Sequence, residues 1–278
     1  MKLQYLGTAA AEGVPAIFCE CENCRKSREA GGRNIRTRSQ SLVDDRLLID
    51  FPPDTYLHFL AHNLPLTRIK HCLITHAHQD HLYAEELAMR AKGFSKLYED
   101  PSPLIFYADE AGCRTINEMK AEKHLTDEEI QVRQIPLYAP FPVDRYTVTA
   151  LRANHDPAST PVVYIIEGDG RSFFYANDTG ELPEESMAYL CGLQKPLDMI
   201  SLDCTSACSH SNYYGHFSLE RCVAVRQALL ACGAADDRTV WVLTHFSHNA
   251  DGVVYDEFIP VAAEKGFKVA YDGMILDI

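Results

Sequence analysis

Short apolar runs alternate with polar breaks along the chain, and their spacing predicts a strand-rich fold with interspersed helices. Residues 2–6 read as a first strand, followed by a small-residue turn over 7–13. Ser41-Leu42-Val43 and Leu47-Leu48-Ile49-Asp50, joined by Asp44-Asp45, read as a hairpin, and Pro52-Pro53 opens a helix over 55–61. Cys72-Leu73-Ile74-Thr75 has the pattern of a buried strand, and 83–92 carries apolar positions at helical spacing up to Gly93. Further strands are expected at 104–108, 146–152, 162–167, 172–176, 199–203 and 239–243, with Gly168-Asp169-Gly170 turning a hairpin. Helices are expected at 26–32, 110–120, 219–232 and 255–265, and a closing hairpin at 267–278. The less regular segment 94–134 reads as an insertion or flap near the site, and substrate contacts are expected from it or from near Tyr213. No linker, repeat or low-complexity tract interrupts the pattern, so one domain over 1–278, of two sheets flanked by helices, fits best.

The polar breaks are not random. Strands repeatedly end in a His or Asp: His76, His155, Asp178 and His245 all follow an apolar run. Strand ends on one rim of a sheet converge, so such residues can meet although far apart in sequence. The densest break is Thr75-His76-Ala77-His78-Gln79-Asp80-His81, which places four ligand-type side chains within six positions. Imidazole and carboxylate suit zinc, iron and manganese. A second cluster, Cys19-Glu20-Cys21-Glu22-Asn23-Cys24, supplies three thiols on a loop over about 13–24. A structural zinc needs a fourth ligand, and His248, three residues after His245, is the best candidate. Cys204 and Cys208 with His210 form a weaker alternative cluster. The remaining cysteines, Cys72, Cys113, Cys191, Cys222 and Cys232, read with Cys204 and Cys208 as small buried hydrophobes.

Composition narrows the partners. A net charge of −13 argues against an extensive nucleic-acid surface but not against a small anionic substrate, because bound cations invert the local field. No apolar run has the length of a membrane span, and the N-terminus lacks a signal-peptide pattern, so cytoplasmic residence is expected. Arg36 and Arg38 read as structural or surface cations that could also touch a phosphate.

Residues 75–81 resemble the HxHxDH signature of the metallo-β-lactamase fold superfamily, and His155, Asp178 and His245 match its remaining ligand positions in order. The resemblance implies an α/β (α+β) αββα sandwich with two mixed sheets. It also implies a dinuclear site: His76, His78 and His155 on one metal, Asp80, His81 and His245 on the second, and Asp178 bridging. Zinc or manganese fits these ligands, and iron or nickel would also be accepted. Asp50 resembles the family's supporting acid, although Phe51-Pro52 stands where the family has a small residue and Gly. The three-Cys loop together with His245 and His248 is similar to the PhnP-type cyclic phosphate phosphodiesterases, in which a structural zinc accompanies the active site. A homodimer would match that family. Gly215-His216-Phe217-Ser218 resembles a phosphodiesterase motif whose His protonates the leaving oxygen.

The expected function is hydrolysis of a small cyclic phosphate, of ribosyl 1,2-cyclic phosphate or cyclic nucleotide type. A hydroxide activated by two metals would attack phosphorus, Asp80 would help orient it, and His216 would give the proton. A lactone or thioester hydrolase of the same fold would share the ligands without requiring His216 or the cysteines. A PqqB-like cofactor-biosynthesis protein would share the cysteine loop but typically has a degraded first metal motif, which is intact here.

Overall fold

A computed structural model describes residues 1–209, 214–251 and 254–278. Its strands run β1 Lys2–Gly7, β2 Gln40–Val43, β3 Leu47–Ile49, β4 His71–Leu73, β5 Leu104–Ala108, β6 Ile130–Gln134, β7 Phe141–Val143, β8 Tyr146–Arg152, β9 Val162–Gly168, β10 Arg171–Ala176, β11 Met199–Asp203, β12 Val240–Thr244, β13 Lys268–Val269 and β14 Ile275–Asp277. The helices are α1 Glu22–Ala30, α2 Thr55–His62, α3 Glu110–Glu122, α4 Glu184–Cys191, α5 Leu219–Ala231 and α6 Tyr255–Glu264. They form two mixed seven-stranded sheets, ordered β14-β1-β2-β3-β4-β5-β6 and β13-β12-β11-β10-β9-β8-β7.

Strand periodicity explains the layering. Along β10, Phe173 and Tyr175 point into the core between the sheets, while Phe174 and Ala176 point to the opposite face. The inter-sheet core includes Tyr5, Leu73, Tyr164, Phe173 and Val242. The outer face of the first sheet packs Leu48 and Phe106 against Ile116 of α3, and that of the second packs Ile200 and Leu243 against Leu190 of α4, Leu229 of α5 and Phe258 of α6. Strands buried on both faces read as continuous apolar runs, as these do. The result is an αββα sandwich.

Three sequence expectations need correction. The 94–134 segment is no flap: β5 and β6 pair in parallel as the edge of the first sheet, and α3 covers it. The 267–278 segment is not a hairpin, because β13 pairs with β12 in one sheet and β14 with β1 in the other. Apolar periodicity shows that a strand exists but not which strand it pairs with. The 83–92 segment is a 3-10 helix, Ala84–Arg90. The cysteine reading also changes. Cys191 and Cys232 form a disulfide joining the end of α4 to the end of α5, and Cys208 is exposed rather than buried. Among the described residues no helix is long and apolar enough to cross a membrane.

The layering positions one rim. β3, β4 and β5 run parallel, as do β10, β11 and β12, so their C-terminal ends collect along one edge of the sandwich. Ligands in open α/β sheets bind outside the carboxyl ends of such strands.

Candidate metal centre

Each ligand-type side chain on the rim arrives on a turn that leaves a strand. Asp50 follows β3, residues 75–81 follow β4, His155 follows β8, Asp178 follows β10 and His245 follows β12. Asp50, Asp178 and His245 adopt positive φ, at 67°, 48° and 63°, a conformation uncommon for residues other than Gly.

Two ligand cages result. His76 Nε2 lies 2.9 Å and His155 Nε2 3.2 Å from His78 Nδ1. Beside them, His81 Nε2 lies 3.3 Å from Asp80 Oδ2 and 2.5 Å from Asp178 Oδ2, and His245 Nε2 lies 3.2 Å from Asp178 Oδ1. Asp178 Oδ2 is also 3.4 Å from His76 Nε2, so this carboxylate stands between the two groups. In each cage the candidate ligand atoms lie within 4.8 Å of one another.

The residues fit a cation. His81 Nε2, His245 Nε2 and Asp178 Oδ1 are buried and make no hydrogen bond, although they crowd together. Buried polar atoms without partners are rare and costly. Donor atoms converging at short range without hydrogen-bonding one another are what ligands of a shared ion require. The opposite ring nitrogens are fixed by partners: His81 Nδ1 to Asp50 at 2.6 Å, His245 Nδ1 to Thr205 at 2.7 Å and His155 Nδ1 to the Gly215 carbonyl at 3.2 Å. Such outer partners orient the ring and leave Nε2 to the metal.

The field agrees. Burial alone would push His81 and His245 down. The carboxylates of Asp178, Asp50 and Asp80 instead hold His81 well above the usual histidine range, and Asp178 with Asp203 pushes His245 up to about 10. Burial opposes ionisation of Asp178 and Asp80, yet neighbouring imidazoles hold both below the usual carboxylate range. The pocket is built for positive charge.

His216 stands at the edge of this cluster, with Nδ1 2.9 Å from Asp203 Oδ2 and 3.4 Å from Asp178 Oδ1. Gly180 makes this possible, because a Cβ there would lie 1.6 Å from the Tyr214 carbonyl oxygen. Burial lowers the His216 pKa, but Asp203 and Asp178 outweigh it and the net shift is upward. Asp203 has no role in the sequence reading. It is fully buried, accepts from Thr205 and from the Phe217 amide, and is held down to about 2 by His216 and His245 against its burial. Its signal was visible, since it ends an apolar strand as the other acids do. Thr205, bonded to both Asp203 and His245, carried no such signal.

The structure also gathers the second predicted set. Cys19 Sγ and Cys21 Sγ lie 3.3 and 3.5 Å from His248 Nδ1, and Cys24 belongs to the same four-residue group. Cys24 lies in α1, and Cys21 is its N-cap rather than a plain loop residue. Backbone N–H groups of Cys21, Ala16 and Cys24 donate to the three sulfurs. Burial opposes ionisation of Cys21, yet bonds from His248 and the Cys24 amide hold its thiol down to about 6, whereas burial pushes Cys24 up to about 12.

Between the two regions lies a cavity of about 460 Å³, lined by His78, His155, His216, Glu12, Ser206 and Asn249 among others. None of its lining residues comes from 94–134, where substrate contacts were expected. The alternative contact Tyr213 and the competing ligand His210 lie outside the described residues. Arg36 and Arg38 are structural: the first is buried against Phe246 and donates to the Ala270 carbonyl, and the second pairs with Asp54.

Known proteins provide a frame for this geometry. A family model described as a beta-lactamase superfamily domain matches residues 45–246. Among solved structures, Zn²⁺-bound PqqB from Methylobacterium extorquens aligns with a TM-score of 0.77 at 22% identity over 100% of both chains. A diphosphatase from the PhnP family aligns at 0.74 and 21% identity, over 100% of this chain and 97% of the other. The human short-form tRNase Z aligns at 0.69 and 19% identity, over 100% and 99%. At these identities the likeness is one of fold. No curated protein matches the sequence.

Proposed function

The chain belongs to the β-lactamase superfamily, and from that premise we propose that it is a metal-dependent phosphodiesterase acting on a small cyclic phosphate. The observation that carries the reading is His216, held through Nδ1 by buried Asp203 and lying 3.4 Å from the Asp178 carboxylate that stands between the two cages. A displaced alkoxide needs a proton near neutral pH, and an imidazolium stabilised by a carboxylate is suited to give it.

His76, His78 and His155 would hold one divalent cation, and Asp80, His81 and His245 the other, with Asp178 shared. Zinc or manganese suits both cages. Bound there, the cations would neutralise charge at the phosphoryl group and activate water for attack. Asp80 helps orient that water. Asp50 and Thr205 keep His81 and His245 in the tautomer that points Nε2 inward. Asp203 keeps His216 charged, with the proton to be given on Nε2. Cys19, Cys21, Cys24 and His248 would hold a structural zinc.

The cavity supports a small substrate. No Lys or Arg lines it among the described residues, and none of the six undescribed positions is Lys or Arg, so nothing there matches the basic surface a nucleic acid requires. The test is a screen of cyclic phosphates and cyclic nucleotides with added Mn²⁺ or Zn²⁺, beside bis(p-nitrophenyl) phosphate, a lactone and a thioester. Diester turnover alone is expected. Turnover of the lactone or thioester without any diester would overturn the reading.

A further inference from the structure

A single carboxylate oxygen gathers three consecutive side chains beside the thiol cluster. Glu12 Oε1 accepts a short hydrogen bond from Ser247 Oγ and another from Asn249 Nδ2 at 3.2 Å, and it lies 3.5 Å from His248 Nε2. The Asn249 amide donates to Ser247 Oγ at 3.1 Å and closes the turn. On the other side of the ring, His248 Nδ1 faces the sulfurs of Cys19 and Cys21. His248 is thus gripped between a carboxylate at one nitrogen and thiols at the other.

Glu12 has a firm base. It sits on a turn closed by Gly13 N to Ala10 O at 3.0 Å, and Ala10 N donates to the Phe246 carbonyl at 3.0 Å. The turn is therefore stitched to the same segment that carries His245 and His248. A His that ligates through Nδ1 carries its proton on Nε2, the nitrogen turned to Glu12. Outer carboxylates of this kind fix the tautomer and orientation of a metal-bound imidazole. At 3.5 Å the contact with the ring is electrostatic, and the bonds to Ser247 and Asn249 set the backbone that aims it.

We propose that Glu12 is the positioning residue of the thiol site: it aims His248 at the ion that Cys19, Cys21 and Cys24 would share. The inference rests on the reading of those four residues as a metal site. The test uses the full chain loaded with Co²⁺, whose thiolate-to-metal absorption reports this site and not the all-His/Asp cages. Bleaching of that band by EDTA measures retention. Glu12→Ala should shift the wild-type midpoint about 10- to 100-fold towards lower chelator. Glu12→Gln, which keeps an acceptor oxygen for Ser247 and Asn249 but not the charge facing the ring, should restore part of it. A purely structural role would lower the melting temperature of Glu12→Ala and leave the midpoint in place, and that result would overturn the proposal. So would a Glu12→Gln midpoint no better than that of Glu12→Ala. Should Glu12→Ala fail to fold, Ser247→Ala removes one of the two anchoring bonds. It should weaken retention several-fold, and an unchanged midpoint would count against Glu12. Absence of the thiolate band in the wild type would instead remove the metal site itself, and the positioning role with it.

Discussion

The rim cages and the thiol corner share the segment from His245 to His248, yet they are assembled in opposite ways. The cages draw ligands from the ends of three parallel or like-directed strands in one sheet and one strand in the other, so they exist only once both sheets have stacked. Their side chains are largely buried, and outer partners such as Asp50, Thr205 and Asp203 hold them. The corner draws three of its four candidate ligands from six consecutive residues at the start of α1, and only His248 comes from elsewhere. Cys21 there is exposed. A site made by sheet convergence is rigid because the whole fold over-determines it. A site made by a local clip depends on the one long-range residue that closes it.

The sharpest way to break this comparison is at the shared carboxylate. Asp178→Ala removes the group within reach of both cages, and on the proposed function the several kcal/mol that bound metals would contribute to transition-state charge would go with it. At about 1.4 kcal/mol per decade, kcat/KM for a phosphodiester should fall about a thousandfold. Metal content measured on the same sample should drop at the rim while the corner keeps its ion. Equal loss at both would mean that the two regions are one unit.

His216→Ala should cost about a hundredfold with a poor leaving group and little with p-nitrophenolate, which needs no proton. The pH profile tests the same role. Burial lowers the His216 pKa, but Asp203 raises it further, so its imidazolium persists above the usual 6.5 and the rate should fall only on the alkaline side of its raised pKa. Asp203→Asn should move that alkaline limb to lower pH. A limb that stays in place would separate His216 from the proton step. Asp50→Asn, one bond further out, should lower rim metal affinity about tenfold through His81 and leave the corner's ion untouched.

The contrast between the regions also explains what was legible before the fold was seen. The corner's three cysteines and residues 76–81 are contiguous, so spacing alone exposes them. His155, Asp178 and His245 each end an apolar run; singly each reads as a structural residue, and only their joint occurrence marks them. Asp203 shows the same pattern without a visible partner, because His216 is reached only through a turn that packs against Gly180. That β11 lies between β10 and β12 is a fact of sheet order, which apolar periodicity does not encode. The same gap makes β5 and β6 look like a flap, and it hides the pairing of Cys191 with Cys232. Glu12 left no trace, since one carboxylate in a small-residue turn gives no pattern to read.

The smallest effect probes the framework beneath the rim. His58 of α2 is buried between Gln40 Oε1 and Thr37 Oγ1, each 2.7 Å from a ring nitrogen, and Gln40 Nε2 donates to the Asp50 carbonyl. Burial depresses the His58 pKa to about 4, so the folded protein holds it neutral where the unfolded chain would bind a proton. Below about 6.5 the unfolded state takes up that proton first. The stabilisation is therefore complete above pH 6.5 and is lost as pH falls from there towards 4. From pH 7.5 to 5.5 the loss should be about 1 kcal/mol. Urea unfolding at the two pH values, for the wild type and for His58→Gln, isolates it: the variant should lose less. If acid loosens the rim through this helix, rim metals should leave at pH 5.5 more readily in the wild type than in His58→Gln. The corner, which has no contact with α2 through Gln40, supplies the internal control, because its own loss should be the same in both proteins.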